Sequence, residues 1–297
     1  MADSIARWFS GALFSGAQNI VNWVLQIWRM VSAVVFRYAE TTPYAFSESG
    51  WHSVAFGNVF GISMTIGTTL VTVFFVWSWI RESTDLRSNL RPEYIFRLVI
   101  RLVFANAMVQ AVLALAEAVM EFSVGWTGTV LMNFSAEIET EGIFAGIQEQ
   151  MDAVSGGEAL GISLALFLFS LVLVFVILIC SFQILVYVVK RFFKVYVAMP
   201  FGAPCLASLA GGERMWQPAI AWLKTFLIYN LEAVIIALAM MLSFTVFGGG
   251  AGLTVFSDPG TNVAVSVLVK MMGMALPFLS CSAIISGSEE IVRRFVG

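Results

Sequence analysis

Five long apolar segments decide what this chain can fold into. They lie at about 53–80, 98–122, 160–189, 219–247 and 262–287. Each is long enough to cross the hydrocarbon core of a bilayer, which takes about 20 helical residues. Because backbone N–H and C=O groups find no water in lipid, each segment must satisfy them internally as a helix. The sequence therefore predicts an all-α, polytopic integral membrane helix bundle with about five transmembrane helices.

The composition favours a surface that faces lipid. Charged residues make up 12% of the 297 residues, hydrophobic residues make up 59%, and the mean hydropathy is +0.88. A soluble globular protein carries about 25% charged residues, so this chain cannot cover a water-exposed surface of its size. A single soluble domain is excluded, and the predicted location is the cell membrane.

Residue types that carry enzymatic chemistry are scarce. The chain has one histidine, His52, and its three cysteines lie far apart without a CxxC pair. These facts exclude a metal knuckle, a redox dithiol and an HExxH metalloprotease motif. The sequence also has no Walker A loop and no GxGxxG motif that opens a helix. We predict no catalytic residue, no cofactor and no metal site.

The Lys and Arg residues set the predicted orientation. They concentrate in the connections 81–101 and 190–224 and after the fifth segment, whereas 102–189 contains none. The positive-inside rule places the two basic connections and the C-terminus in the cytoplasm. The acidic connection 123–159 and, with five crossings, residues 1–50 then lie outside. The candidate cytoplasmic partner-contact residues are Arg87, Arg91, Lys190, Arg191, Lys194 and Arg214.

Residues 5–37 form an apolar stretch that carries a polar stripe. The polar side chains recur at steps of 3, 4, 4 and 3 residues, which places them on one helix face. They are Ser15, Gln18, Asn22, Gln26 and Arg29. We interpret 1–50 as an N-terminal amphipathic interfacial helix and 51–297 as the transmembrane domain. The alternative is a sixth transmembrane helix whose polar stripe faces water or a neighbouring helix.

Few ionisable residues lie inside the predicted crossings, where each is costly unless it is paired or hydrated. Glu117 and Glu121 share a helix face, since they are four residues apart. Glu232 lies near the middle of the fourth segment, and Lys270 lies in the outer half of the fifth. One hypothesis is a polar lining in which Lys270 pairs with Glu117 or Glu121. In the alternative, Lys270 and Glu121 reach the headgroups.

Small residues in the first segment are candidate helix-packing positions. Gly57 and Gly61 are four residues apart, and Gly67 follows them. Glycines at such spacing let two helix backbones approach closely in a membrane.

The connection 190–218 is predicted to be a cytoplasmic interfacial segment. After Lys194 it reads VYVAMPFGAPCLASL, an apolar stretch that is too short to cross a bilayer. Pro200 and Pro204 interrupt it. A stretch of this length and composition is usually interfacial or re-entrant.

The motifs around this connection follow a recognisable order. A basic helix end precedes an Ala198-Met199-Pro200 break, a Gly211-Gly212 turn, Trp216-Gln217, and a helix with Leu223-Lys224. This order resembles TrbL-like proteins, the polytopic membrane components of conjugative type IV secretion systems, and especially the short Gram-positive type. The resemblance extends over essentially the whole chain, including the amphipathic N-terminus and the basic 81–101 connection.

The resemblance implies a channel or scaffold component of a DNA-transfer machine in the cytoplasmic membrane. Such proteins are expected to form homo-oligomers and to contact other channel subunits and the secretion ATPases. The substrate would be single-stranded DNA attached to a relaxase. The cationic connections also suit a phosphate backbone, although their first role is to orient the protein. The family offers no catalytic motif to carry over.

Two other functions are open from the sequence. A small-solute transporter would show inverted repeats with broken helices; Pro200 and Pro277 interrupt helices, but no clear repeat relates the halves. A membrane enzyme would need clustered His, Asp or Ser side chains, and the chain has one histidine. The secretion component is the preferred interpretation.

Overall fold

A computed structural model describes residues 2–83, 92–132, 144, 147–149, 152, 154–212, 215–247 and 263–296. Within these ranges 95% of the structure is helical and no residue lies in a strand. The described part of the chain therefore has the predicted all-α fold.

The described helices vary from four to 43 residues in length. In chain order they are α1 (Ala2–Ala39), α2 (Pro43–Phe46), α3 (Glu48–Trp51), α4 (Asn58–Ser83), α5 (Pro92–Gln110), α6 (Val112–Leu131), α7 (Gly156–Ala198), α8 (Gly202–Ala207), α9 (Gln217–Phe247), α10 (Val263–Ser286) and α11 (Ser288–Val296). A π-helical turn over His52–Phe56 precedes α4. Two 3-10 turns, Met199–Phe201 and Ser208–Gly211, flank α8.

Several of these helices are suited to crossing a membrane. Four described stretches are long and apolar enough by themselves, namely Ser4–Ala39, Glu48–Arg81, Gly156–Gly211 and Gln217–Val246. Two bent pairs, α5 with α6 at 61° and α10 with α11 at 53°, raise the number to six if each pair is one crossing. These helices are consistent with a multi-pass membrane protein.

The chain divides into two compact units. The first contains Met1–Arg37, Thr129–Val188 and Ile235–Ser288. In it, the buried Trp28 stacks on Phe244 and meets Phe278 edge to face, with ring centroids 5.1 and 4.9 Å apart. These contacts pack α1 against α9 and α10.

The second unit contains Tyr38–Gly128, Val189–Val234 and Glu289–Gly297. Its apolar core joins α4, α5 and α6 to the stretch from α8 to the start of α9, as in the cluster of Val112, Ala203 and Phe226. The described residues 199–211 of the connection that is predicted to be interfacial or re-entrant thus contribute to this core.

The first predicted segment is interrupted near its start. Gly57 ends the π-helical turn, and α4 begins one residue later. A Cβ atom at Gly57 would lie 2.1 Å from the carbonyl oxygen of Ser53, so a larger residue cannot occupy this position without a backbone shift. Gly57 therefore lies at this break, where the absence of a side chain is required.

The second predicted segment is two helices, α5 and α6, that meet at 61°. α6 then continues to Leu131, into the predicted acidic connection. Thr127 lies there fully buried and its hydroxyl donates to the carbonyl of Ser123 at 2.8 Å, so the polar side chain is satisfied within the helix. Most of the acidic connection beyond Met132, and the glycine-rich 248–252 stretch, lie outside the described residues.

Part of the apolar surface of α1, with Ala17, Val21 and Trp28, is buried within the first unit. Its polar stripe is turned outward. Ser15, Asn22, Gln26 and Arg29 are exposed, and Gln18 is half-buried.

Candidate functional site

Three charged side chains from different helices meet in the second unit, and we call them the charged centre: Lys194 of α7, Glu232 of α9 and Glu289 of α11. The Lys194 ammonium donates to both oxygens of Glu232 at 3.1 Å and to Oε2 of Glu289 at 2.6 Å. Only 1% of the Glu232 surface is exposed. The ammonium thus uses its three donors on two carboxylates and ties the three helices together.

Arg191 lies one turn before Lys194 and is 2% exposed. Its Nη2 atom donates to the carbonyl oxygens of Tyr38 and Thr41, at 3.4 and 3.1 Å. The Tyr38 carbonyl belongs to the last turn of α1, where the helix carries partial negative charge, and Thr41 follows the helix by two residues. Arg191 therefore fastens the end of α1 to α7.

The electrostatics of the charged centre favour a structural role. Glu232 and Glu289 face Lys194, and the neighbouring Arg191 adds a second positive charge. A buried ion pair contributes little by itself, because desolvation offsets the attraction, but removal of one partner leaves a costly unpaired charge. The described residues contain no group of three or more His, Cys, Asp or Glu side chains able to hold a metal ion.

The stretch Met199–Gly211, which we call the inserted segment, follows the charged centre. It packs on α4 and α5, and most of its residues are buried. A Cβ atom at Gly67 of α4 would lie 3.0 Å from the backbone of Ala203. Only a glycine at position 67 leaves room for this contact without a shift of one of the two backbones.

Side-chain donors satisfy backbone carbonyls at both ends of the inserted segment. The Trp222 indole donates to the carbonyl of Ala198 at 2.9 Å, and the Trp216 indole donates to that of Leu209 at 3.1 Å. The Ser63 hydroxyl donates to the carbonyl of Pro200. Proline removes backbone donors, so carbonyls near a break need partners of this kind inside a membrane protein.

The inserted segment runs along α4 from Ser63 to Ser78. Pro200 contacts Ser63 at one end, and Gly212, with a φ of 85°, lies at the other end beside Arg101, whose Nη1 donates to Ser78 at 3.3 Å. Fifteen helical residues rise about 22 Å, most of the roughly 30 Å core of a bilayer. If α4 crosses the membrane, the inserted segment accompanies it through most of that depth.

These contacts correct the predicted orientation in one respect. Residues 38–43 were placed outside and residues 191–196 in the cytoplasm, yet Arg191 donates to Thr41 and the Tyr196 hydroxyl donates to the carbonyl of Pro43 at 2.6 Å. Groups in hydrogen-bond contact cannot lie on opposite sides of a bilayer. The physical reason for the error is that Arg191 and Lys194 have internal partners and are not free cations.

The other predicted site residues have different surroundings. Glu121 is exposed and accepts from the Tyr44 hydroxyl at 3.4 Å, while Glu117 is half-buried. Lys190 and Gly61 are exposed, and no described atom lies within 4 Å of a Cβ built on Gly61. The side chain of Lys270 and the residues Arg87, Arg91 and Arg214 lie outside the described residues.

Sequence reasoning identified Glu232 and Lys194 separately and missed their pairing. It also did not single out Glu289, which stands in the first turn of a short amphipathic helix. The position of Glu232 could have indicated a partner, since a carboxylate near the middle of an apolar helix needs a cation or water.

The whole chain was compared with models of protein families, with curated proteins and with solved structures, and none of the three comparisons finds a match.

Proposed function

We propose that this protein is a multi-pass membrane subunit of a conjugative type IV secretion system, of the short TrbL-like kind. The observation that carries the proposal concerns the 190–224 stretch, on which the resemblance depends. In the structure this stretch is a proline-broken segment packed inside a helical unit and anchored by the charged centre. That architecture suits a channel or scaffold subunit, which functions through its contacts with other subunits.

The outer surface of the helices supports a membrane location. Large apolar side chains are exposed along α4, α5 and α7, for example Ile62, Phe104 and Phe175. A monomer in water rarely exposes apolar surface continuously, whereas lipid or protein neighbours cover it without cost. The expected partners are other copies of the chain, further channel subunits and the secretion ATPases, with relaxase-bound single-stranded DNA as the substrate.

The cationic end of α4 is the surface we assign to the cytoplasm. Arg81 and Arg97 are exposed there, and Arg101 lies at the same end beside Ser78. Cations on this end satisfy the positive-inside rule without any contribution from Arg191 and Lys194. The same end is the natural contact for acidic partners.

A gene deletion in a conjugative donor strain tests the proposal. We expect the transfer frequency of the element to fall below detection and to recover when the gene is supplied in trans. In complementation, Lys194→Met should fail to restore transfer and Lys224→Met should restore it, because the Lys224 side chain is exposed and lies outside the charged centre. Normal transfer from the deletion strain would refute the proposal.

A small-solute transporter is the second candidate, and one observation favours it. A broken helix beside a buried ion pair is the kind of site at which transporters bind substrate and coupling ions. Purified protein in proteoliposomes would then take up solute without any other subunit. Such uptake, together with normal conjugation in the deletion strain, would decide for the transporter.

A further inference from the structure

The second unit carries an open groove with a volume of about 710 Å³. One wall is the end of α7 and the inserted segment, with Phe193, Val197 and Phe201. The opposite wall is the start of α9, with Ala221 and Trp222. Ligand pockets typically measure about 300–1,000 Å³, so the groove is large enough for a ligand.

The groove is apolar along its length and cationic at one end. Lys190 and Lys194 line the end next to Tyr229, while Cys205 and Pro218 line the other end. From Lys190 to Cys205 the wall is 15 residues long, which corresponds to about 20 Å of helix. A ligand that fits this groove is long, apolar and anionic at one end only.

The two lysines have different roles at the cationic end. The Lys194 ammonium is engaged by Glu232 and Glu289 in the charged centre. The Lys190 side chain lines the same end of the groove and is exposed, so an anionic headgroup in the groove can reach its ammonium. Phe193, Val197 and Phe201 are 59%, 65% and 60% exposed, and an apolar ligand chain would cover them.

We propose that this groove binds one anionic phospholipid, with an acyl chain between α7 and α9 and the phosphate beside Lys190. A single leaflet of the hydrocarbon core is about 15 Å deep, so a groove of about 20 Å accommodates one chain. Anionic headgroups attract cationic side chains at a membrane surface, which complements the position of Lys190. The inference rests on the membrane location in the proposed function, but not on a role in DNA transfer.

Lipid retention by the full-length protein tests this site. The protein is purified in a mild detergent, incubated with phosphatidylglycerol or phosphatidylcholine, and examined by native mass spectrometry. We expect one phosphatidylglycerol per chain to survive, with phosphatidylcholine retained about fivefold less, the ratio that one cationic residue near an anionic surface provides. Lys190→Gln should remove that preference and leave some binding of both lipids.

A matched pair of variants separates the groove from the general lipid surface. Val197→Trp fills the groove and should abolish retention, whereas Val103→Trp adds the same ring at a position of similar exposure, 62%, on α5. Val103→Trp should retain lipid like the original protein. Equal retention of both lipids by the original protein, or full retention by Val197→Trp, would overturn the inference. Conjugation frequency is a separate measurement. If the proposed function were wrong, the lipid-retention experiment would still test the groove.

Discussion

Glu232 places a carboxylate in the interior of the second unit, and its neighbours compensate the charge. Lys194 contacts both of its oxygens, and the same ammonium reaches Glu289. The position of Glu232 on the apolar α9 indicates from sequence that a partner is needed. The sequence does not identify that partner. Lys194 is 38 residues away from Glu232, and the path of the chain between them cannot be predicted from sequence.

Removal of Lys194 takes away the ammonium that donates to both oxygens of the buried Glu232. We expect Lys194→Met to lower the free energy of unfolding by about 3 kcal/mol, the low end of the range for breaking a buried pair. The measurement is denaturant unfolding of the purified protein in detergent. Lys194→Met combined with Glu232→Leu should recover most of the loss, because the buried carboxylate is then removed together with its hydrogen-bond donor. Equal instability of the single and double variants would contradict the pairing.

Two glycines of α4 provide a matched test of packing. A Cβ at Gly67 lies 3.0 Å from the Ala203 backbone, so Gly67→Ala should destabilise the protein by about 1–3 kcal/mol through overpacking. At Gly61 the space is open, and Gly61→Ala should stabilise α4 by about 0.5–1 kcal/mol through helix propensity. Thermal unfolding of both variants gives the comparison. Equal shifts of the same sign would mean that the inserted segment does not touch Gly67.

At the scale of elements, the apolar segments predict where helices exist, because hydropathy and length are properties of the local sequence. The positions at which these helices bend or break are harder to predict from sequence. α5 and α6 meet at 61° around Gln110 and Ala111, where the sequence has neither proline nor glycine. α7 passes through Lys190, Arg191 and Lys194 without ending, since Lys and Arg are good helix formers.

The exposed polar stripe of α1 makes a prediction about water. Amide side chains directed into hydrocarbon are costly, so Asn22 and Gln26 should face an aqueous surface. In a cysteine-free background, Asn22→Cys and Gln26→Cys should react with a water-soluble maleimide in membranes. Val24→Cys, at a fully buried position on the same helix, should react only after denaturation. Absence of labelling at both stripe positions would mean that the stripe does not face water.

At the scale of the whole molecule, the orientation rule counts cations without regard to their partners. That is why sequence reasoning assigned residues 191–196 and 38–43 to opposite sides, although hydrogen bonds join them. Arg81 and Arg97 are exposed, and the rule still applies to exposed cations. The partners of Arg191 and Lys194 are distant in the sequence, so the rule cannot take them into account.

Labelling of intact cells with an impermeant thiol reagent tests the corrected arrangement. Ser49→Cys and Lys190→Cys, both exposed and near the junction of 38–43 with 191–196, should react from the same side. Arg97→Cys should react only after permeabilisation, since Arg97 lies at the cationic end of α4 and α5 that we assign to the cytoplasm. If Lys190→Cys were accessible from the same side as Arg97→Cys and from the side opposite to Ser49→Cys, the arrangement would be contradicted.

α7 carries one further consequence, which concerns the thickness of the membrane. Within the first unit its exposed apolar side chains extend from Leu164 to Val186, about 33 Å along the axis at 1.5 Å per residue. A hydrocarbon core of about 30 Å covers a surface of this length at a tilt of about 25°, close to the average of about 20° for transmembrane helices. A much thinner bilayer would leave one end of this apolar surface outside the acyl chains, so we expect the protein to favour membranes of ordinary or greater thickness.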